Sequence, residues 1–300
     1  MKIVLSGGSG LIGSLIGQTL ANSGHDVAIL TRSIKPNQPF RQIEWDPQRN
    51  LIDDVKMEGT QCIINLAGAP VAQRWTTSNK ENILESRINS TKVLVDYIDR
   101  NKAVCHSFIS ASAIGLYPSG DSFYNENSAS GNNFLSEVVQ HWENAAFKAE
   151  TYGCRVVALR IGIVLAKNGG ALDKLLPIFK LGLGSPVGSG KQWQSWIHIN
   201  DLVQMFQLLS ENFQYAGIYN AVAPNPVTNK EFSSALAKSL NRPFWLPAVP
   251  AFVLKLVFGK MSQIILNSQK VSSKKIEALG FKFKFPTIDI AFENLFRSND

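Results

Sequence analysis

The sequence predicts an α/β protein: a doubly wound parallel sheet with helices on both faces, followed by a small, mainly helical C-terminal region. Three observations carry that expectation. Short β-branched runs alternate with helical patterns over the first two-thirds of the 300 residues. Those runs are almost continuously apolar, as strands covered on both faces must be. A glycine-rich turn, Gly7-Gly8-Ser9-Gly10-Leu11-Ile12-Gly13, joins the first strand pattern to the first helix pattern.

The strand candidates are KIVLSG (2–7), DVAILTR (26–32), CIINLAG (62–68), HSFISAS (106–112) and RVVALRI (155–161), with helices expected at 11–23, 79–101 and 133–152. After Gly162 the pattern loosens into a helix and an extended Gly-rich loop broken by Pro177 and Pro186. WIHI, NDLVQMFQLLSEN and GIYNAVA then give a further strand–helix–strand alternation. APNPVT (223–228) punctuates the chain before a helix at 229–240. The prolines of RPFWLPAVPAF exclude a long helix there, and an apolar helical pattern follows at 251–268, where Val253, Leu254, Val257, Phe258, Ile264, Ile265 and Leu266 are expected to pack on the main domain. This organisation reads as a Rossmann-like domain over 1–225, with 160–225 partly on the substrate side, and a small domain over 226–300.

Composition narrows the class. With 45% apolar and only 18% charged residues, the chain can build a large core and is not disordered. The formal charge of +7 is concentrated towards the C-terminus, but no basic run is interleaved with aromatics and no nucleic-acid motif occurs, so no nucleic-acid partner is expected. Three scattered cysteines without a CxxC and four unclustered histidines exclude a disulfide framework and a metal centre from the expectation. The chain opens directly on an apolar strand, and no apolar run approaches a membrane span. A cytoplasmic protein with a small-molecule partner and no membrane partner is therefore expected.

The glycine turn carries the first chemistry. GxxGxxG after a strand and opening a helix lets backbone N–H groups of Gly7, Gly10, Leu11, Ile12 and Gly13 approach a pyrophosphate, where the helix dipole favours negative charge. The second strand then selects the dinucleotide. A carboxylate at its end would hold the ribose 2′-hydroxyl of NAD(H); this chain has Thr31-Arg32-Ser33 instead. A cation there suits a 2′-phosphate, so NADP(H) is expected, with NAD(H) as the alternative.

Together with Asn65-Leu66-Ala67-Gly68 and Ser110-Ala111-Ser112, these residues resemble the extended short-chain dehydrogenase/reductase superfamily. SRINST (86–91), SASAIGLY (110–117), FLSEVVQHWE (134–143), GLGSPVGSGKQWQSWIHINDL (182–202), YNAVAPNPVTNKEF (219–232) and LPAVPAFVLKLVFGKMS (246–262) narrow the likeness. They are similar to the epimerase-family subgroup that carries a C-terminal domain of unknown function. The resemblance implies that Leu66, Ala67 and Gly68 line the adenosine–ribose side and that Ser110 and Ser112 lie beside the nicotinamide. Arg160 and Gly162 would border it with backbone groups. Arg87 would reach a cofactor phosphate or ribose, its alternative being a surface ion pair.

The wider superfamily moves protons with a Tyr-x-x-x-Lys pair on one helix face. None of the six tyrosines here is followed by Lys at i+4. Aligning Glu143 with the family's acidic residue places Leu135 and Val139 at the Tyr and Lys positions; a two-residue slide places Glu137 and His141 there. The resemblance favours the first register, which leaves Glu137, His141, Asn144 and Lys148 as a solvated stripe. Ser112, Tyr117, Tyr124, Glu126 and His198 are then the candidates for proton transfer, Ser112 first because it ends a strand at the sheet's carboxyl edge, with Tyr117 five residues on. Gly188, Lys191 and Trp193 would form the substrate side, with indole stacking and an anion-pairing lysine. His198 is placed there too, with loop fixing by hydrogen bonds as its alternative role. Two functions follow: an NADP(H)-dependent epimerase or oxidoreductase on a small sugar-like or anionic substrate, or a catalytically silent cofactor-binding regulator.

Overall fold

The computed structural model describes residues 1–101 and 105–296, so the last four residues of the region expected at 226–300 lie outside the described residues. Its first six strands are β1 (Lys2–Ser6), β2 (Asp26–Thr31), β3 (Arg41–Asp46), β4 (Leu51–Ile52), β5 (Cys62–Asn65) and β6 (Ser107–Ala113). Then come β7 (Phe123–Tyr124), β8 (Arg155–Ile161), β9 (Ile163–Leu165), β10 (Trp193–Gln194) and β11 (Trp196–His198). The last are β12 (Gly217–Ala221), β13 (Val227–Thr228) and β14 (Lys270–Val271). The helices of the first two-thirds are α1 (Leu11–Asn22), α2 (Asp54–Met57), α3 (Thr77–Arg100), α4 (Phe134–Phe147), α5 (Gly170–Lys180) and α6 (Ile199–Glu211). The remainder are α7 (Asn229–Ser239), α8 (Ala251–Phe258), α9 (Gln263–Leu266), α10 (Lys274–Glu277) and α11 (Ile288–Phe296).

Eight strands form one sheet in the order β12-β8-β6-β5-β1-β2-β3-β4. Every pairing in it is parallel except β3 with β4. The apolar runs explain themselves by alternation between two cores. Ile3, Leu5, Ile29 and Ile64 face α1 and α6, whereas Val4, Ala28, Leu30 and Ile63 face α3. A strand buried on both sides needs apolar residues at every position, not every second one. β3 was not foreseen, because RQIEWD buries only Ile43 and Trp45 near the sheet edge and so lacks a continuous run.

The chain winds from β1 outward through β2 and β3, then returns to β5 and proceeds through β6, β8 and β12 on the other side. The order reverses between β1 and β5, so their carboxyl ends open a crevice, the place where ligands bind in open α/β sheets.

A third core joins α5, Trp196, α7 and α11, with Phe232 and Phe292 edge to face at 5.2 Å. The C-terminal helices are thus packed on α5 from the earlier Gly-rich stretch. The single helix expected at 251–268 is instead broken at Gly259, whose φ of +58° favours glycine, and resumes as α9 after a 3-10 turn at Gly259–Ser262. Its expected packing on the main domain is also corrected. Leu254 is buried, Val253, Phe258, Ile265 and Leu266 are half-buried, and Val257 and Ile264 are exposed. No helix among the described residues is long and apolar enough to cross a membrane.

Candidate functional site: a dinucleotide crevice and a buried ion-pair network

The turn from β1 into α1 is shaped by close backbone packing. Gly7 adopts φ +67°, and the Gly10 N–H donates to the Gly7 carbonyl at 3.0 Å. A Cβ built on Gly13 would lie 2.3 Å from that carbonyl oxygen and 2.8 Å from the Gly8 Cα, so only glycine lets the helix start this near the turn. Gly10 caps α1 without a side-chain acceptor, which leaves the first-turn N–H groups of Leu11, Ile12 and Gly13 available to an anion. Gly13→Val should therefore distort the turn and abolish dinucleotide binding; fluorescence titration with NADPH, beside a circular-dichroism check that the fold survives, measures this.

The facing loop, after β5, is tied to β1. Ser6 Oγ donates to Asn65 Oδ1 at 2.6 Å and accepts from the N–H groups of Leu66 and Ala67 at 3.1 and 3.2 Å. Asn65 Nδ2 in turn donates to Thr91 Oγ1 on α3 at 2.9 Å. Both walls of the crevice are thus held by one buried network.

Beyond the glycine turn lies a cavity of about 860 Å³. Of the residues expected at the cofactor, Gly7, Thr31, Arg32, Ala67 and Gly68 line it, joined by Lys35, whereas Gly10, Leu11, Ile12, Gly13 and Leu66 are not in its lining. Thr31 Oγ1 accepts from the Ser33 N–H and donates to the Ser33 carbonyl, a local turn that sets the loop carrying Arg32 and Lys35. The opposite wall is a helical stripe of α3: Asn82, Glu85, Ser86 and Asn89. Sequence reasoning missed Lys35 and this stripe, although their i, i+3, i+4, i+7 spacing was the available signal.

Arg87 is neither in a surface ion pair nor free to swing. It is 9% exposed, and its Nη1 donates to the carbonyls of Ile83 and Ala69 at 2.8 and 3.1 Å. The guanidinium lies 5.0 Å from the Trp142 ring and against Gly68, and burial lowers its pKa to about 10. It props the Gly68–Ala69 loop from beneath.

The proton-transfer candidates Ser112 and Tyr117 occupy a buried network. Ser112 Oγ donates to Glu143 Oε1 at 2.5 Å. Arg160 grips both oxygens of that carboxylate, Nε to Oε1 at 2.8 Å and Nη2 to Oε2 at 2.9 Å. Its Nη1 donates to the Tyr117 hydroxyl at 2.9 Å and to the Glu126 carbonyl at 3.2 Å, and the Tyr117 hydroxyl donates to Asn220 Oδ1 at 2.7 Å. Glu126 closes the set by accepting from the Asn220 N–H at 2.8 Å. Ser112 and Tyr117 are 3% and 0% exposed.

Burial raises the Tyr117 pKa despite the opposing pull of Arg160, so the phenol keeps its proton. Burial alone would weaken the Arg160 charge, but Glu143 outweighs it and holds the guanidinium above its ordinary pKa. The hydroxyls of Ser112 and Tyr117, both expected to exchange a proton, are engaged by partners inside the protein. Ser110 Oγ is likewise turned to the Ala111 carbonyl at 2.9 Å. The Glu143–Arg160 pair was not foreseen, since nothing local in either strand or helix announces a partner 17 residues away.

On α4, Val139 is buried and Leu135 half-buried, whereas Glu137, His141, Asn144 and Lys148 are all exposed. This is the register that turns an apolar face inward.

Of the four residues assigned to the substrate side, Gly188, Lys191 and Trp193 share one loop, and His198 is enclosed in the core. Gly162 packs so closely on the Ser195 carbonyl that a Cβ would come within 2.6 Å, which fixes β11 beside β9. Gly188, at φ +61°, donates to the Val249 carbonyl, and Lys191 is exposed. Trp193 stacks beneath Lys270, whose Nζ is 3.9 Å from its ring centroid and 4.4 Å from that of Phe123.

His198 is a correction. It is 1% exposed, caps α6 by accepting from the Asn200 N–H at 3.2 Å, and stacks on Phe285 at 3.7 Å, so it fixes structure and meets no substrate. Burial lowers its pKa to about 4. Because the unfolded chain takes up this proton near pH 6.5 and the folded chain only near 4, stability should fall as pH drops through that window. The loss is about 3 kcal/mol at the acid end. His198→Asn should remove this part of the slope in urea unfolding midpoints measured from pH 7 to 4.

Comparison with known proteins agrees with this geometry. Residues 3–221 match the model of the NAD dependent epimerase/dehydratase family, and residues 249–295 match a domain of unknown function, DUF1731. An Arabidopsis thaliana protein described as a chloroplastic epimerase family protein SDR39U1 homolog is 38% identical, with 95% of this chain and 84% of that protein covered. An epimerase family protein of Staphylococcus haemolyticus is 36% identical over 98% of both chains. Among solved structures, human epimerase family protein SDR39U1 with NADPH superposes with a TM-score of 0.89 at 30% identity, covering 99% of this chain and 100% of that one. With the glycine turn, the reversing sheet order and the fused C-terminal helices all in place, the chain belongs to the NAD dependent epimerase/dehydratase family.

Proposed function

We propose that the chain is an NADP(H)-binding protein of epimerase or oxidoreductase type that acts on a small sugar-nucleotide-like or anionic carbonyl or hydroxyl substrate, without a Tyr-x-x-x-Lys relay. One observation carries the cofactor assignment: Arg32 and Lys35 line the same cavity as the glycine turn, where a carboxylate would be needed for NAD(H). The human relative solved with NADPH supports it. The glycines serve this indirectly: Gly13 lets α1 start against the Gly7 carbonyl and Gly7 lets the turn pack on Leu66, which sets the α1 N-terminus beside the crevice. When bound, the dinucleotide supplies hydride exchange at its nicotinamide.

The chain's own residues bind and orient. The α1 N-terminus and glycine turn hold the pyrophosphate, and Arg32 and Lys35 take the 2′-phosphate. Ser6, Asn65 and Arg87 fix the loop that flanks the adenosine side. The Ser112–Glu143–Arg160–Tyr117 network stiffens the end of β6. A turnover screen with NADPH against nucleotide sugars and small carbonyl compounds tests the catalytic part; cofactor consumption or epimer formation on any member supports it.

A second reading, a catalytically silent NADP(H)-dependent regulator, is favoured by α4, which turns Leu135 and Val139 inward and Glu137 and His141 to solvent, while its buried Glu143 is held by Arg160. Tight NADPH binding with no turnover across the screen selects this reading.

A further inference from the structure

Three segments meet in one apolar, cationic face far from the glycine turn in the chain. Gly182 lies against Pro243, and Val187 bridges to Val249, so the stretch 182–188 runs beside 243–249 in parallel. Helix α8 continues directly from that strap. Leu181, Leu183, Trp245, Phe252, Leu256 and Val257 are all exposed along these segments, Trp245 at 73% and Leu256 at 83%. Helix α8, AFVLKLVF, is apolar around most of its circumference, yet only Leu254 is buried. Such a helix normally lies inside a protein, so one left in water marks a surface that something else covers.

The charge along these segments has one sign, with Asp173 and Glu277 the nearest acids in the chain. Residues 241–276 contain Arg242, Lys255, Lys260, Lys270, Lys274 and Lys275 and no Asp or Glu; residues 174–191 contain Lys174, Lys180 and Lys191 and likewise no acid. Lys180, Arg242, Lys255 and Lys260 are exposed beside the apolar side chains.

We propose that this face docks on the surface of an anionic lipid bilayer, with Trp245, Phe252 and Leu256 entering the headgroup boundary and the lysines above them meeting lipid charge. A second copy of the chain fits poorly, because a two-fold contact would set cation against cation. The apolar side chains project from a strap and a helix with an indole and a phenyl ring among them, the composition of an interfacial anchor. No helix among the described residues is long enough to span, so the attachment is peripheral and reversible.

Flotation of the full chain with phosphatidylcholine vesicles, with and without phosphatidylglycerol, tests this. Binding to the anionic vesicles should exceed that to neutral ones at least tenfold and weaken as salt is raised. The triple variant Trp245→Ser, Phe252→Ser, Leu256→Ser should lose binding at least tenfold while its thermal unfolding and NADPH titration stay unchanged. Tryptophan emission should shift to the blue on anionic vesicles, and Trp245→Phe should remove that shift. Absence of flotation, equal binding to neutral vesicles, or undiminished binding by the triple variant would overturn the proposal. A concentration-dependent dimer that buries Trp245 would overturn it in favour of self-association.

Discussion

Glu143→Gln should be among the most destabilising single substitutions in the chain, lowering stability by roughly 3–5 kcal/mol, because it strands the buried Arg160 charge. Glu143 and Arg160 are 8% and 4% exposed, and both carboxylate oxygens are gripped by the guanidinium. The glutamine would keep the shape but offer one acceptor where the arginine now meets two, and no neutralising charge. Ser112 would have to share that single acceptor with Arg160. The urea midpoint of unfolding reads the effect. Combining Glu143→Leu with Arg160→Met should recover most of the loss, since removing both charges removes the unpaired one. Recovery would show that the pair sets geometry at the end of β6 and is not a net source of stability.

The second large effect concerns cofactor choice. Arg32→Ala combined with Lys35→Ala should weaken NADPH binding by roughly 100-fold or more while leaving NADH binding within a few-fold of wild type. Each charge-assisted contact to a phosphate contributes about 1.5–3 kcal/mol, and two such contacts are removed. Both side chains are exposed, so the fold should not change. Equal losses for the two cofactors would mean that the loop after β2 meets the adenosine, not its phosphate.

The main sheet was legible because its strands are buried on both faces and announce themselves as apolar runs. β3 was not, because a strand near the edge carries only alternate buried residues. The glycine turn could be read because its constraint is local: Gly7, Gly10 and Gly13 serve one turn and its helix. Lys35 and the α3 stripe escaped notice because they reach the cavity from separate elements. Helical periodicity showed the polar stripe on α4, and the family resemblance chose the register that turns Leu135 and Val139 inward.

Ser112 and Tyr117 could be placed at and just beyond the carboxyl end of β6 from the sequence, but their hydrogen-bond partners could not. Their partners, Glu143, Arg160 and Asn220, come from α4, β8 and β12, and only the folded chain brings them together. For His198 the loop-fixing role was legible in WIHINDL, but its neighbour Phe285, far along the chain, was not. Helix α8 was expected to be covered because it is apolar, and composition alone does not say what covers it.

The central claim is that the crevice between β1 and β5 is built for a dinucleotide bearing a 2′-phosphate. Calorimetric titration of the wild-type chain with NADPH and with NADH, at one ionic strength, tests it most directly. NADPH should bind at least tenfold more tightly. Equal affinities, or tighter binding of NADH, would contradict the assignment of Arg32 and Lys35.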